Sequence, residues 1–232
     1  MSADDRHEAG AVAARYARRR DADRYSFLRA DVWQGVQERQ RAMLRLFADL
    51  GQHDLGALRC IEVGCGSGGN LLELLRIGFA PENLSGIELL PERHARARHV
   101  LPAAVQVTLG DAAAADLPER AHDIVYVSTV FSSLLDPAFQ DRLAARMWRW
   151  VRPGGGVLWY DFTVDNPRNR DVRGVPLRRV RALFPHGRIE ARRVTLAPPL
   201  ARAACRVHPA LYTVLNTLPF LRTHVFAWIG KP

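Results

Sequence analysis

The chain has 232 residues, of which 48% are hydrophobic and 25% charged, a composition and length suited to one globular domain with a sizeable core. No apolar run reaches eighteen residues, so no membrane-spanning helix is expected. Three widely spaced cysteines (Cys60, Cys65 and Cys205) make neither a disulfide framework nor a zinc pattern, and they point to a reducing, cytoplasmic setting. The formal net charge is +9, with Lys231 the only lysine; arginine enrichment by genome composition explains this as well as an anionic partner does.

In chain order, residues 1–30 carry Arg15, Arg18, Arg19, Arg20, Arg24 and Arg29 without an apolar h-region, so no secretory signal is expected. They read as a basic tail or a short helix bearing Tyr16 and Tyr25. From Trp33 to Leu50, apolar residues Val36, Met43, Leu44, Leu46, Phe47 and Leu50 recur at helical spacing before Gly51. A short apolar run then leads into Glu62-Val63-Gly64-Cys65-Gly66-Ser67-Gly68-Gly69-Asn70. Closely spaced glycines between a strand and a helix make a turn that lets backbone approach a ligand. Gly64, Gly66 and Gly69 also satisfy the dinucleotide pattern, so this stretch alone leaves a nicotinamide cofactor open.

A second strand ends at Gly86-Ile87-Glu88, and a third, Val105–Ala112, includes Gly110-Asp111-Ala112. A fourth begins at His122-Asp123, and Val151-Arg152-Pro153-Gly154-Gly155-Gly156 reads as the turn before a fifth, Val157–Phe162. Helices are expected at Asn70–Ile77, Pro91–Val100 and Pro137–Val151, with proline near the start of the latter two. Further on, Pro176–Phe184 reads as a helix, Arg188–Ala197 as a sixth strand and Thr223–Gly230 as the last. Alternation of this kind predicts an α/β fold, a mostly parallel sheet covered on both faces, with ligands at the carboxyl ends of the strands.

The series E-V-G-C-G-S-G, G-I-E, G-D-A, H-D-I-V and R-P-G-G-G resembles the class I S-adenosylmethionine-dependent methyltransferases over roughly residues 58–163. The resemblance implies a Rossmann-like fold of seven strands, the last antiparallel and inserted between strands five and six. It implies S-adenosyl-L-methionine as cofactor, with Glu62 toward the methionine moiety and Gly64, Cys65, Gly66 and Gly68 beneath it. Glu88 and Leu89 would then lie at the ribose, Asp111 and Ala112 at adenine, and Ser128 nearby. It also implies a bacterial transferase with a helical lid over residues 1–50 and a cofactor-binding domain over 51–232. A nicotinamide-dependent oxidoreductase would account for Glu88 but leave G-D-A and R-P-G-G-G unexplained.

Two segments are expected on the acceptor side, 163–186 and 198–222. The first is polar, and in it Asn166, Arg168, Asn169 and Arg173 are candidate acceptor contacts, because arginine grips phosphate or carboxylate and asparagine orients hydroxyls. Phe131 is a further candidate at the end of strand four. The second segment, Pro198–Arg222, is apolar with interspersed arginines and reads as substrate roof, homodimer contact or peripheral lipid contact. His224 and Asp161, at one edge, are the candidate bases; no metal site is expected. The looser resemblance of the tail to methyltransferases of bacterial polysaccharide and secondary-metabolite assembly implies O-methylation of a small, sugar-like or anionic acceptor. A nucleic-acid acceptor is disfavoured, since aromatics are few and no reading motif accompanies the arginines; a non-catalytic partner subunit of the same fold remains an alternative.

Overall fold

The computed structural model describes residues 3–18, 26–167 and 169–232. Two helices, α1 (Ala3–Ala17) and α2 (Ala30–Asp49), precede the alternating core. The core runs β1 (Cys60–Val63), α3 (Gly69–Arg76), β2 (Leu84–Glu88), α4 (Pro91–Val100), β3 (Gln106–Leu109), β4 (His122–Ser128), α5 (Pro137–Trp150) and β5 (Val151–Phe162). It closes with α6 (Leu177–Leu183), β6 (Arg188–Leu196), α7 (Pro198–Val207), α8 (Ala210–Asn216) and β7 (Arg222–Gly230). No described helix is long and apolar enough to cross a membrane.

The seven strands form one sheet in the order β3-β2-β1-β4-β5-β7-β6. β1 to β5 are mutually parallel, whereas β7 runs antiparallel to both its neighbours, β5 and β6. That inserted antiparallel strand separates this sheet from the dinucleotide-binding order 3-2-1-4-5-6, so the oxidoreductase alternative loses its structural support.

The strands are apolar on both sides because both faces are covered, and successive residues sort by parity. On β4, Val125 and Val127 join a core with Leu143 and Met147 of α5. Ile124 and Tyr126 join the opposite core, with Met43 and Phe47 of α2 and Leu71 of α3. Asp136 caps α5 by accepting the backbone N–H groups of Ala138 and Phe139, which offsets donors that a helix start otherwise leaves unpaired.

One local expectation is corrected. Arg152–Gly156 is not a turn before β5 but part of it, and the register slips opposite His122 and Ile124. A side chain at Gly155 would meet the backbone of Asp123, and one at Gly156 the ring of Trp228. The glycines therefore permit close strand and ring packing rather than chain reversal. Remaining boundaries shift by a residue or so, except that α2 starts at Ala30 rather than Trp33, β3 is confined to Gln106–Leu109 and the 198–222 segment holds two helices.

Candidate active site

The carboxyl ends of β1 to β3 converge on one cleft. After β1 the chain turns through Gly64, Gly66 and Gly68, whose φ values are +66°, +58° and +85°. Non-glycine residues are disfavoured there. At Gly64 an added Cβ would stand 2.7 Å from Val130 Cγ2. The turn is tied to β2 because Ile87 O accepts the N–H groups of Gly64 and Cys65 at 2.8 and 3.1 Å. Cys65 is buried, and a Cβ on Gly86 would lie 2.8 Å from its Sγ. Its thiol is thus a packing group, and burial pushes its pKa upward.

Glu88 closes this arrangement. Its Oε2 accepts the N–H of Gly66 at 2.7 Å and its Oε1 that of Leu90 at 2.8 Å. Asp111 folds the next turn by accepting the N–H of Ala113 at 2.9 Å. Glu88, Leu89, Asp111 and Ala112 line one cavity with Gly64 and Val130, so the turns following four different strands contribute to the same wall. Ser128 is buried at the end of β4, next to Thr129.

Glu62 lies beneath the glycine turn and is fully buried. Its Oε1 accepts from Asn70 Nδ2 at 2.6 Å, while Oε2 has no hydrogen-bond partner among the described residues. Burial pushes its pKa up to about 8, opposed by the Asn70 hydrogen bond and by nearby Arg39. An orphaned, fully buried carboxylate oxygen fits a ligand that brings a cationic donor.

The helix α1 crosses this cleft. Val12 enters the sheet core, and Ala9, Val12 and Tyr16 line the cavity opposite Glu88 and Asp111. Arg15 binds Glu8 at 2.6 Å and donates to Ser133 O at 2.9 Å, while Glu8 also accepts the N–H of Leu135. The Arg93 guanidinium sits 4.3 Å from the Tyr16 ring centre.

Beside the cleft lies a buried polar cluster built on α2. Arg39 reaches both carboxylate oxygens of Glu73 at 3.0 and 3.1 Å and lies over the Tyr160 ring. Tyr160 shares a hydrogen bond with Thr195 Oγ1 at 2.9 Å and offers its carbonyl to the N–H of Thr129. Both threonines have positive φ, +55° and +63°, which is strained for a β-branched residue. Glu38 accepts from the Thr195 N–H and the Tyr212 hydroxyl. Glu38, Arg39, Asn70 and Tyr160 were not among the expected site residues. The sequence sign for the two on α2 is charge on an apolar stripe: Arg39 follows Val36 by three, and Glu38 precedes Ala42 by four.

The two candidate bases do reach this edge. Asp161 is 1% exposed and accepts the N–H of Ser132 at 3.0 Å and of Phe162 at 2.9 Å. Burial pushes its pKa up to about 7 against those hydrogen bonds. His224 stacks on Tyr160, with ring centres 5.0 Å apart, and its Nδ1 meets Thr223 Oγ1 at 3.1 Å. Burial, then Arg39, pushes its pKa down to about 4, leaving a neutral imidazole at neutral pH.

The acceptor candidates divide. Phe131, expected at the acceptor, is fully buried and packs against Trp159 with ring centres 4.7 Å apart. It is a core residue because the turn after β4 folds inward over α5. The polar loop folds back on the sheet: Phe162 O accepts the N–H of Val175, Ser132 O that of Arg173, and Asp165 that of Gly174. Asn169 caps a turn by accepting the N–H of Asp171, while Asn166 and Arg173 stand exposed. Arg168 lies outside the described residues.

Residues 60–155 match the family model described as a methyltransferase domain. Over 112 residues the chain is 36% identical to a fatty-acid O-methyltransferase of Mycolicibacterium smegmatis, a match covering 47% of this chain and 39% of that protein. The chain therefore spans well under two thirds of that relative. Among solved structures, N-methyltransferase NodS of Bradyrhizobium japonicum superimposes at TM-score 0.62 and 15% identity, over 86% of this chain and 98% of that one. Phosphoethanolamine N-methyltransferase 2 of Haemonchus contortus, solved with S-adenosyl-L-methionine, superimposes at 0.60 and 18% identity, over 84% of this chain and 52% of that one. The matched segment runs from β1 into β5, and with the antiparallel β7 in place the chain has the Rossmann-like fold of these methyltransferase structures.

Proposed function

We propose that this chain methylates an oxygen atom of a small acceptor and holds S-adenosylmethionine in the cleft beneath α1. The observation that carries this reading is the convergence of the left-handed glycine turn, Glu88 and Asp111 on one cavity wall. When bound, the cofactor supplies a sulfonium methyl group, an electrophile that needs alignment with its acceptor more than activation. Glu88 would accept hydrogen bonds from the ribose hydroxyls while keeping the Gly66 turn in place. Asp111 and the backbone of Ala112 would receive the adenine edge, and Glu62 Oε2 the ammonium group. Leu89 supplies apolar wall, and Ser128 would stand at the end toward the acceptor.

Acceptor chemistry separates two forms of this reading. An aliphatic hydroxyl, as on a sugar or secondary metabolite, must lose a proton, and Asp161 or His224 would take it. A carboxylate is already deprotonated and needs only positioning. The fatty-acid O-methyltransferase relative supports the carboxylate form, whereas the exposed Asn166 and Arg173 support a polar or anionic acceptor. The deciding experiment incubates the purified chain with methyl-labelled S-adenosylmethionine and separate pools of nucleotide sugars, phenolic metabolites, fatty acids, polar lipids and RNA. Label in a hydroxyl- or carboxyl-bearing small-molecule pool is expected. Label in RNA alone, or no binding of S-adenosylhomocysteine, overturns the proposal.

A further inference from the structure

Residues 191–232 contain no aspartate or glutamate, yet they carry Arg192, Arg193, Arg202, Arg206, Arg222 and Lys231. This acid-free stretch includes α7 and α8, which pack on β6, on α2 and on each other. Their inner side is satisfied: Ala201 and Tyr212 are buried with Leu196, and Tyr212 donates to Glu38 at 2.9 Å. Their outer side is not. Val207 is 79% exposed, Val214 60%, Leu218 41% and Phe220 73%. At the start of α2, which packs against both helices, Leu28 is 98% exposed and Trp33 41%.

Exposed large apolar side chains gathered on one edge mark an interaction surface. Charge decides its partner. A symmetric contact between two copies through α7 and α8 would bring Arg202 and Arg206 against their own counterparts with no acid on either helix to pair them. Phosphates of nucleic acid would satisfy the arginines but not the protruding valine, leucine and phenylalanine side chains. An anionic bilayer satisfies both: apolar tips enter the headgroup–acyl boundary while guanidinium groups meet lipid phosphates. Arg202 and Arg206, one helical turn apart on α7, share a side of that helix.

We propose that the α7–α8 edge, with the start of α2, is a peripheral docking surface for anionic lipid bilayers. The surface stands independently of the methyl acceptor. It also adjoins the buried polar cluster, since Thr195, near the end of β6 and three residues before α7, bonds Tyr160. Docking would present that edge of the protein to amphiphiles in the membrane.

The test uses the full chain with vesicles of phosphatidylcholine alone or mixed with phosphatidylglycerol, followed by co-sedimentation at low and high salt. Binding to the mixed vesicles is expected, weakened by salt and about tenfold or more weaker in an Arg202→Gln/Arg206→Gln variant. A Val214→Ser/Phe220→Ser variant should lose binding while keeping its far-ultraviolet dichroism and melting temperature, because both positions are exposed. In the unaltered chain, hydrogen exchange should slow on vesicle addition within 198–222 and at the start of α2. Equal partition onto both vesicle types, no partition at all, or a dimer in solution that the Val214/Phe220 variant dissociates would overturn the proposal.

Discussion

Asp161 and His224 stand one register step apart on adjacent antiparallel strands and face opposite sides of the sheet. Asp161 pairs with Val225, and Phe162 with His224. The carboxylate turns toward Ser132 over α5, whereas the imidazole stacks on Tyr160 beneath α2. Strand alternation makes this separation unavoidable. The two residues therefore cannot act as a hydrogen-bonded pair on one acceptor. Replacing His224 with Asn should lower turnover on a hydroxyl acceptor while leaving S-adenosylhomocysteine affinity unchanged, as measured by calorimetry. Unchanged turnover would remove His224 from the chemistry.

Asp161 also makes stability depend on pH. In the folded chain its pKa is raised from 3.8 to about 7 by burial, so between those values the folded state holds a proton that the unfolded state has released. Its contribution is fully present below the unfolded value and is lost as pH rises through the folded one. The loss is on the order of 4 kcal/mol. Denaturant unfolding at a series of pH values should show this decline in the unaltered chain and a flatter profile in Asp161→Asn. Identical profiles would mean that the folded carboxyl is not held protonated.

Glu88 joins the glycine turn to β2 and lines the cleft. Glu88→Gln keeps an acceptor for one of the two backbone N–H groups but loses the charge that strengthens both hydrogen bonds. Affinity for S-adenosylhomocysteine should fall about tenfold or more, with only a small change in melting temperature. Full affinity in this variant would place the ribose elsewhere.

Gly64→Ala should destabilise the chain by about 1–2 kcal/mol from its left-handed backbone alone, with added cost from Val130. Because the added carbon would meet Val130 Cγ2 at 2.7 Å, the double variant with Val130→Ala should recover part of the loss in urea midpoint. Absence of any recovery would assign the whole cost to backbone conformation.

The Arg15–Glu8 pair anchors α1 across the cleft, with side chains only 10% and 9% exposed. Breaking a buried pair leaves its partner uncompensated, so Arg15→Met should loosen α1. Hydrogen exchange in residues 3–18 should quicken about tenfold or more, and bound S-adenosylhomocysteine should exchange faster, while the strands stay protected. Unchanged exchange would show that apolar contacts such as Val12 hold the helix by themselves.

What the sequence determined by itself is local. Clustered glycines after an apolar run specify a left-handed turn, because only glycine enters that region without penalty. Glu88 and Asp111 follow predicted strands, and parallel alternation places both at the ligand edge. The helix starts at Pro91 and Pro137 are likewise written in neighbouring residues. Tertiary structure decided what depends on pairing between distant segments. Register sets which face a side chain takes, and a shift of one residue reverses it. The opposite orientations of Asp161 and His224 follow from that register, which their positions in the chain do not reveal. Phe131 became core rather than acceptor wall through packing against Trp159, and Arg152–Gly156 became strand because Asp123 and Trp228 lie close above it. The cluster of Arg39, Glu73, Tyr160 and Thr195 draws on α2, α3, β5 and β6, and only the folded sheet brings those four elements together.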